Sequence, residues 1–330
     1  MTIVRLARLI GAAMAAMVFI HSPPVDAQSS RSGVDSWPSR AIHIIVGSTP
    51  GSSPDVVARL IGQKLGEALK QPVIIDNRAG GYSNIAMEAA ARAAPDGYTL
   101  LLGIPTVSIN PHLYALNFDP IADLAPVAQL TTVTFALIAH PEFAPRTVPE
   151  IIAAAKARPG AVTCAWSGPI PHFACELLRI RGQVDMNVVP YKSQPTAMND
   201  LIGGRVNLLF EVTNVAVPQA KANRVRAIAT LNPARDTGPF GDLPTMSETF
   251  PGFDFVTWQG IFAPAKTPRQ IINRLNREIG TILEDPDLRK RLTDGGLGVA
   301  SGTAEAFEAK VKRDYVTYGQ IIRDAGIKAE

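Results

Sequence analysis

Two spacings of apolar residues alternate along this chain. Residues 41–46 form a β-branched run interrupted only by His43, and Val57, Leu60, Ile61, Leu65, Ala68 and Leu69 then recur every three or four positions. The first pattern predicts a strand and the second an amphipathic helix. Strands at 73–75 and 100–102 and a helix at 85–93 follow, with Pro95, Asp96 and Gly97 supplying the turn before the third strand. Strand and helix in this order make a βαβαβ unit with a parallel sheet.

A second alternating series begins with a strand predicted over 132–139. Thr147 and Glu150, three positions apart, read as a capping box opening a helix through Ala157. Further strands are expected at 162–166, 186–189, 206–210, 225–229 and 253–262, with helical segments between them. The remainder reads as helix over 268–283, 286–292 and about 304–324. Two α/β domains follow from this order.

Residues 46–60 connect the first strand to the first helix through glycine, serine, threonine and proline. Ser53, Pro54 and Asp55 read as a helix start: a capping hydroxyl, an early proline and a first-turn acid. Free N–H groups and the positive end of the helix dipole then face outward at the carboxyl end of the strand, which suits an anion. The P-loop pattern is absent because no lysine precedes Lys64, and no G-x-G-x-x-G occurs. A second junction of the same kind runs from Cys164 through Ser167 and Gly168 to His172, in the second series. Two helix ends facing each other would share one anionic ligand.

Composition narrows the function. The 330 residues carry 32 Lys and Arg against 29 Asp and Glu, a net charge of +3, with no basic cluster, which argues against nucleic acid as a partner. Arg5 and Arg8 precede an apolar stretch over 9–20, and Val25, Asp26 and Ala27 offer a small-residue cleavage site. An exported, periplasmic protein starting near Gln28 is expected, without a lipid anchor. Cys164 and Cys175 are the only cysteines, and spacing alone leaves a disulfide and two buried thiols equally open.

Catalysis is weighed and set aside. Ser167 and His172 are five apart, but the segment lacks the glycines of G-x-S-x-G and no partnered acid is evident. His43, His112, His140 and His172 show no metal-ligand spacing, so neither a metal nor a cofactor is expected.

Several stretches together carry a resemblance: W-P-S-R at 37–40, D-V-V-A-R-L at 55–60, D-N-R at 76–78, A-P-D-G-Y-T-L-L at 94–101 and I-N-P at 109–111, then V-P-Y-K at 189–192, D-L-I-G-G at 200–204, L-P-T at 243–245 and F-A-P-A-K-T-P at 262–268. In order from Trp37 to the C-terminus they resemble the Bug (TctC-like) family, the extracytoplasmic solute-binding proteins of tripartite tricarboxylate transporters. The resemblance implies a type II periplasmic-binding-protein fold: two α/β domains joined by crossing strands, with a ligand cleft between them. The first domain would comprise 37–131 and 255–330, the second 132–254. It also implies a small carboxylate held largely by backbone N–H groups, a monomer, and membrane permease subunits as partners. The same closed domain pair could instead dock on a signalling receptor.

Carried over by position, the ligand-binding residues would be Ser48, Thr49, Gly51, Ser52 and Ser53 in the first loop. Trp166, Ser167, Gly168 and His172 would serve in the second, and Thr106, Ser108 and Asn110 in a third wall. Glu211 would accept a ligand ammonium or hydroxyl, and Trp258, with Gln259, would line the cleft at the second crossing. The chain departs from the family pattern in the short second loop, in Pro169 and Pro171, which donate no N–H, and in Trp166. These departures point to a monocarboxylate with an aromatic or aliphatic body.

Overall fold

The computed structural model describes residues 37–235, 238 and 240–328; the expected export signal over 1–27 lies outside them. In chain order the strands and helices are β1 (Ile42–Val46), α1 (Ser53–Leu69), β2 (Val73–Asn77), α2 (Asn84–Ala91), β3 (Thr99–Gly103), α3 (Thr106–Ile109), α4 (Pro120–Asp123) and β4 (Leu124–Val133). There follow β5 (Phe135–Ala139), α5 (Val148–Ala157), β6 (Thr163–Trp166), α6 (Pro169–Gly182), β7 (Asn187–Pro190), α7 (Gln194–Ile202), β8 (Leu208–Val212), α8 (Thr213–Lys221) and β9 (Arg226–Thr230). The chain ends with α9 (Met246–Thr249), β10 (Thr257–Pro264), α10 (Arg269–Glu284), α11 (Pro286–Asp294), β11 (Leu297–Val299) and α12 (Ala304–Ala325).

These strands form two mixed sheets, ordered β11-β4-β10-β3-β1-β2 and β7-β6-β8-β5-β9. In the first, β1 runs parallel to β2 and β3, while β10 is antiparallel to β3 and β4. In the second, β6 runs parallel to β7 and β8, while β5 is antiparallel to β8 and β9. Helices cover the sheets, giving two α/β domains, and the inner strands β3 and β8 are almost wholly buried because both of their faces are covered. Every residue of β10 is buried. On α10, Ile271, Ile272, Leu275, Ile279, Ile282 and Leu283 are buried at helical spacing, the apolar stripe a covering helix needs. Trp258 and Phe262 of β10 pack on Phe307 of α12, Trp258 meeting it edge-on with ring centres 5.1 Å apart.

The predicted strand over 132–139 is in fact two. The first ends at Val133 in one sheet and the second begins at Phe135 in the other, so Thr134 is the passage between the two sheets. Its carbonyl accepts from the Thr213 N–H at 2.9 Å and its hydroxyl donates to Thr213 Oγ1 at 2.8 Å. Paired in this way the backbone stays satisfied while it changes sheets. The return passage is anchored by Leu231 N–H on Phe135 O and Phe255 N–H on Leu231 O. The expected capping box at Thr147 is half formed: Thr147 accepts from the Glu150 N–H, but the Glu150 carboxylate accepts from Arg146 N–H instead. Among the described residues no helix is long and apolar enough to cross a membrane.

Candidate functional site

Two strand-to-helix junctions, one from each sheet, meet across the cleft. In the first, β1 passes through residues 47–52 into α1. Ser52, rather than Ser53, takes the cap position, and its hydroxyl makes no cap bond. The loop is held from below by Asp55, which is 2% exposed. The Asp55 carboxylate accepts from Gly51 N–H at 2.8 Å, Asn77 Nδ2 at 2.9 Å and Arg59 Nε at 3.0 Å, and Asn77 Nδ2 also donates to Ser48 O at 3.1 Å. Burial alone would raise the Asp55 pKa, but the hydrogen bonds from Arg59, Gly51 and Asn77 outweigh it and hold the carboxyl below its ordinary value. Asp55 is therefore a brace for the loop. Gly47 lets the neighbouring wall approach: a Cβ there would lie 2.5 Å from Ser83 Cβ, while Ser83 Oγ donates to Gly47 O.

The second junction runs from β6 through Ser167 and Gly168 into α6. Gly168 adopts φ 89°, a conformation costly for any residue with a Cβ. Cys164 in β6 and Cys175 in α6 form a disulfide, Cα atoms 6.0 Å apart, which settles the question spacing left open and ties both flanks of the loop together. Both helices bring their N-termini to the cleft. Val56 N–H donates to Ser52 O, so the first turn of α1 keeps Ser53 and Asp55 as donors. Pro169 and Pro171 have no N–H and His172 N–H donates to Gly168 O, which leaves Ile170 in α6. These directed N–H groups, with the dipoles behind them, suit a carboxylate.

A cavity of ≈ 980 Å³ lies between the junctions, walled by residues 47–54, Ala79–Ser83, Ser167, Gly168, Lys192–Pro195, Glu211, Val212 and Gln219 among others. A smaller recess of ≈ 180 Å³ shares Ser53, Pro54, Ser167, Gly168, Gln194 and Val212 with it and is otherwise mainly apolar, with Ile104, Pro105, Ile109, Val133, Phe135, Ile170 and Trp258. A further cavity of ≈ 560 Å³, between α6 and α12, lies away from both junctions.

Of the residues expected from sequence, Ser48, Thr49, Gly51, Ser52, Ser53, Ser167, Gly168 and Glu211 line the larger cavity. Thr106 and Trp258, again with Ser53, Ser167 and Gly168, line the recess. Four others line neither. Ser108 is buried and donates to Val311 O at 3.0 Å. Asn110 is buried and donates to Tyr82 O at 2.9 Å and Asn84 Oδ1 at 2.7 Å, steadying the 79–83 wall. Trp166, 4% exposed, stacks on His172 with ring centres 3.9 Å apart and planes 5° from parallel. The apolar surface expected of Trp166 comes instead from the recess. Trp258 also donates from Nε1 to Asp314 Oδ2 at 2.7 Å, and Gln259 donates to Ser53 Oγ at 3.0 Å, linking the second crossing to the first loop.

Sequence reasoning missed the 79–83 and 192–195 walls, together with Gln219. Their only local mark is Gly80-Gly81 after the second strand and the proline-bearing start of α7. Glu211 is a buried carboxyl of the site: 1% exposed, its Oε1 accepts from Val212 N–H at 2.8 Å and Gln194 Nε2 at 3.2 Å. Burial pushes its carboxyl up to about 7, the Val212 N–H opposing.

Known proteins share this arrangement. The tripartite tricarboxylate transporter family receptor model, TctC, matches residues 57–327. Protein BugT of Bordetella pertussis is 31% identical over 334 residues, 99% of each chain. Among solved structures, a Rhodopseudomonas palustris protein with adipate is 28% identical with a TM-score of 0.82, covering 89% of this chain and 100% of its own. MatC of the same organism, with bound malate, is 30% identical with a TM-score of 0.76, covering 87% and 100%. Two α/β domains, a cleft between facing helix N-termini and this span of matched sequence place the chain in the tripartite tricarboxylate transporter receptor family, the TctC or Bug solute-binding proteins.

Proposed function

We propose that this protein captures a small carboxylate in the interdomain cleft of the periplasm and delivers it to the membrane permease of a tripartite tricarboxylate-type transporter. The observation that carries the reading is the pair of α1 and α6 N-termini meeting at the cavity and its recess, with Ser53 and Asp55 N–H spare on α1 and Ile170 N–H on α6. The adipate and malate bound to the two Rhodopseudomonas palustris proteins are both carboxylates, which supports the class. The ligand-binding residues are then Ser48, Thr49, Gly51, Ser52, Ser53, Thr106, Ser167, Gly168, Glu211 and Trp258. Ser108, Asn110, Trp166 and His172 serve by holding the walls.

The working step is closure. The two domains meet at two passages, at Thr134 and between Leu231 and Phe255. A carboxylate touching both junctions binds the closed form more tightly than the open one, so it shifts the pair toward closure, and the membrane partner reads the closed form. Neither a nucleophile nor a resident cofactor takes part, and the protein works as a monomer. The apolar recess beside the junctions suits a ligand with an aliphatic or aromatic body.

A thermal-shift panel of mono-, di- and tricarboxylates, amino acids and aromatic acids tests this. At about 100 times its dissociation constant a true ligand adds about 2.7 kcal/mol of stability. A shift with carboxylates and not with their amides supports the reading; a ligand-free protein that responds to no carboxylate contradicts it.

A further inference from the structure

The end of the larger cavity built by β8, α7 and α8 gathers acceptors. Glu211 stands one residue before the end of β8, opposite Ala136 of β5, and its Oε2 finds no donor among the described residues. Gln194 Oε1, at the start of α7, and Gln219 Oε1, on α8, are buried and equally without donors. All three residues line the ≈ 980 Å³ cavity. Buried acceptors left unpaired are costly, so protein interiors supply them with donors. Val212 N–H and Gln194 Nε2 both go to Glu211 Oε1, so neither serves the three open oxygens, and a ligand entering the cavity can supply donors to them.

We propose that this end of the cleft receives a cation: the ligand is an amino-carboxylate whose ammonium group is held by Glu211, Gln194 and Gln219 while its carboxylate sits at the helix N-termini. The proposal rests on the carboxylate reading above and names the ligand class within it. A second ligand carboxylate would bring more lone pairs to three bare oxygens, and a hydroxyl would bring one proton. An ammonium brings three N–H donors and the positive charge that the carboxylate lacks. Glu211 is paired in register with Ala136 of β5, accepts from Gln194 of α7 and shares the cavity with Gln219 of α8, none of them charged. Among the described residues Lys192 is the one cation lining this cavity, and it is exposed, so water and salt screen it. Burial alone accounts for the raised carboxyl, with no neighbouring charge contributing.

Isothermal titration with matched probes tests this on the purified chain: hexanoate, 6-aminohexanoate and adipate, beside butanoate, 4-aminobutanoate and succinate. The amino probe of the better-fitting length is expected to bind roughly tenfold tighter than its unsubstituted and dicarboxylate counterparts. Its affinity is expected to fall as pH drops below about 7, where Glu211 takes up a proton. Glu211→Gln is expected to weaken it on the order of 30-fold and to abolish its advantage over the unsubstituted acid. The pH series on the unaltered chain keeps the test decisive if the variant folds poorly. A dicarboxylate that binds tightest, with affinity rising as pH falls, overturns the proposal and makes Glu211 a neutral donor. An amino probe indifferent to Glu211→Gln also overturns it. If carboxylates bind and amino probes do not, this proposal alone fails; if no carboxylate probe binds the folded chain, the carboxylate reading fails with it.

Discussion

Glu211 makes the stability of the free protein depend on pH in a defined direction. Its carboxyl is pushed from 4.5 to about 7 by burial, so the folded chain holds a proton that the unfolded chain has already released. Stability from the protonated form is fully present below about pH 4.5 and is lost as pH rises to about 7. The window spans about 2.5 pH units at about 1.4 kcal/mol each, which amounts to about 3 kcal/mol. Glutamine at this position cannot ionise and removes that dependence. Urea unfolding of both proteins from about pH 4.5 to pH 8.5 isolates the effect, because the other titrating groups cancel in the difference. The unaltered chain should lose about 3 kcal/mol relative to Glu211→Gln across the window and nothing more above it. A difference that stays flat, or that favours the unaltered chain as pH rises, refutes the burial of a carboxyl with no neighbouring cation.

The disulfide closes a segment whose ends are 11 residues apart, which should contribute about 3 kcal/mol by restricting the unfolded chain; reduced and oxidised protein compared in urea should differ by that amount. Asp55→Ala leaves Gly51 N–H without its acceptor, removes one acceptor each from Asn77 and Arg59, and should cost about 2–3 kcal/mol. The same variant should weaken carboxylate binding, read by titration, because the first loop loses its brace. Gly168→Ala forces a Cβ into a left-handed backbone and should cost about 1–2 kcal/mol in thermal melts.

The first domain's opening elements were plain in the sequence because each carries a local signal. A β-branched run became β1, and a proline-led, evenly spaced apolar pattern became α1. What escaped were features that local signals do not encode. Residues 132–139 are uniformly apolar or β-branched, so nothing marks Thr134 as the point where the chain changes sheets. The first half of β4 was hidden by Pro126, which is tolerated because β11 pairs with β4 only from Thr131 to Val133 and leaves that flank free of the ladder. β11 itself is three residues long with a glycine at its centre.

Of the site, the small-residue loops were legible as helix-opening junctions, since composition and proline placement reveal them. The cleft walls from α7 and α8 were not, because they are assembled from distant segments by the folding of the second sheet. Trp166 shows the limit from the other side. Its position beside the second loop was readable, but only the stacking of its ring on His172 decides that it braces α6 instead of facing the cavity.

The central claim is that one carboxylate bridges the two junctions, and a crystal structure of the protein with a ligand from the thermal-shift panel tests it most directly. The account predicts a carboxylate within about 2.7–3.2 Å of Ser53 or Asp55 N–H of α1 and of the Ser167 to Ile170 backbone, directly or through one water. A ligand lodged in the cavity between α6 and α12, or one whose carboxylate turns away from both helix N-termini, would contradict it.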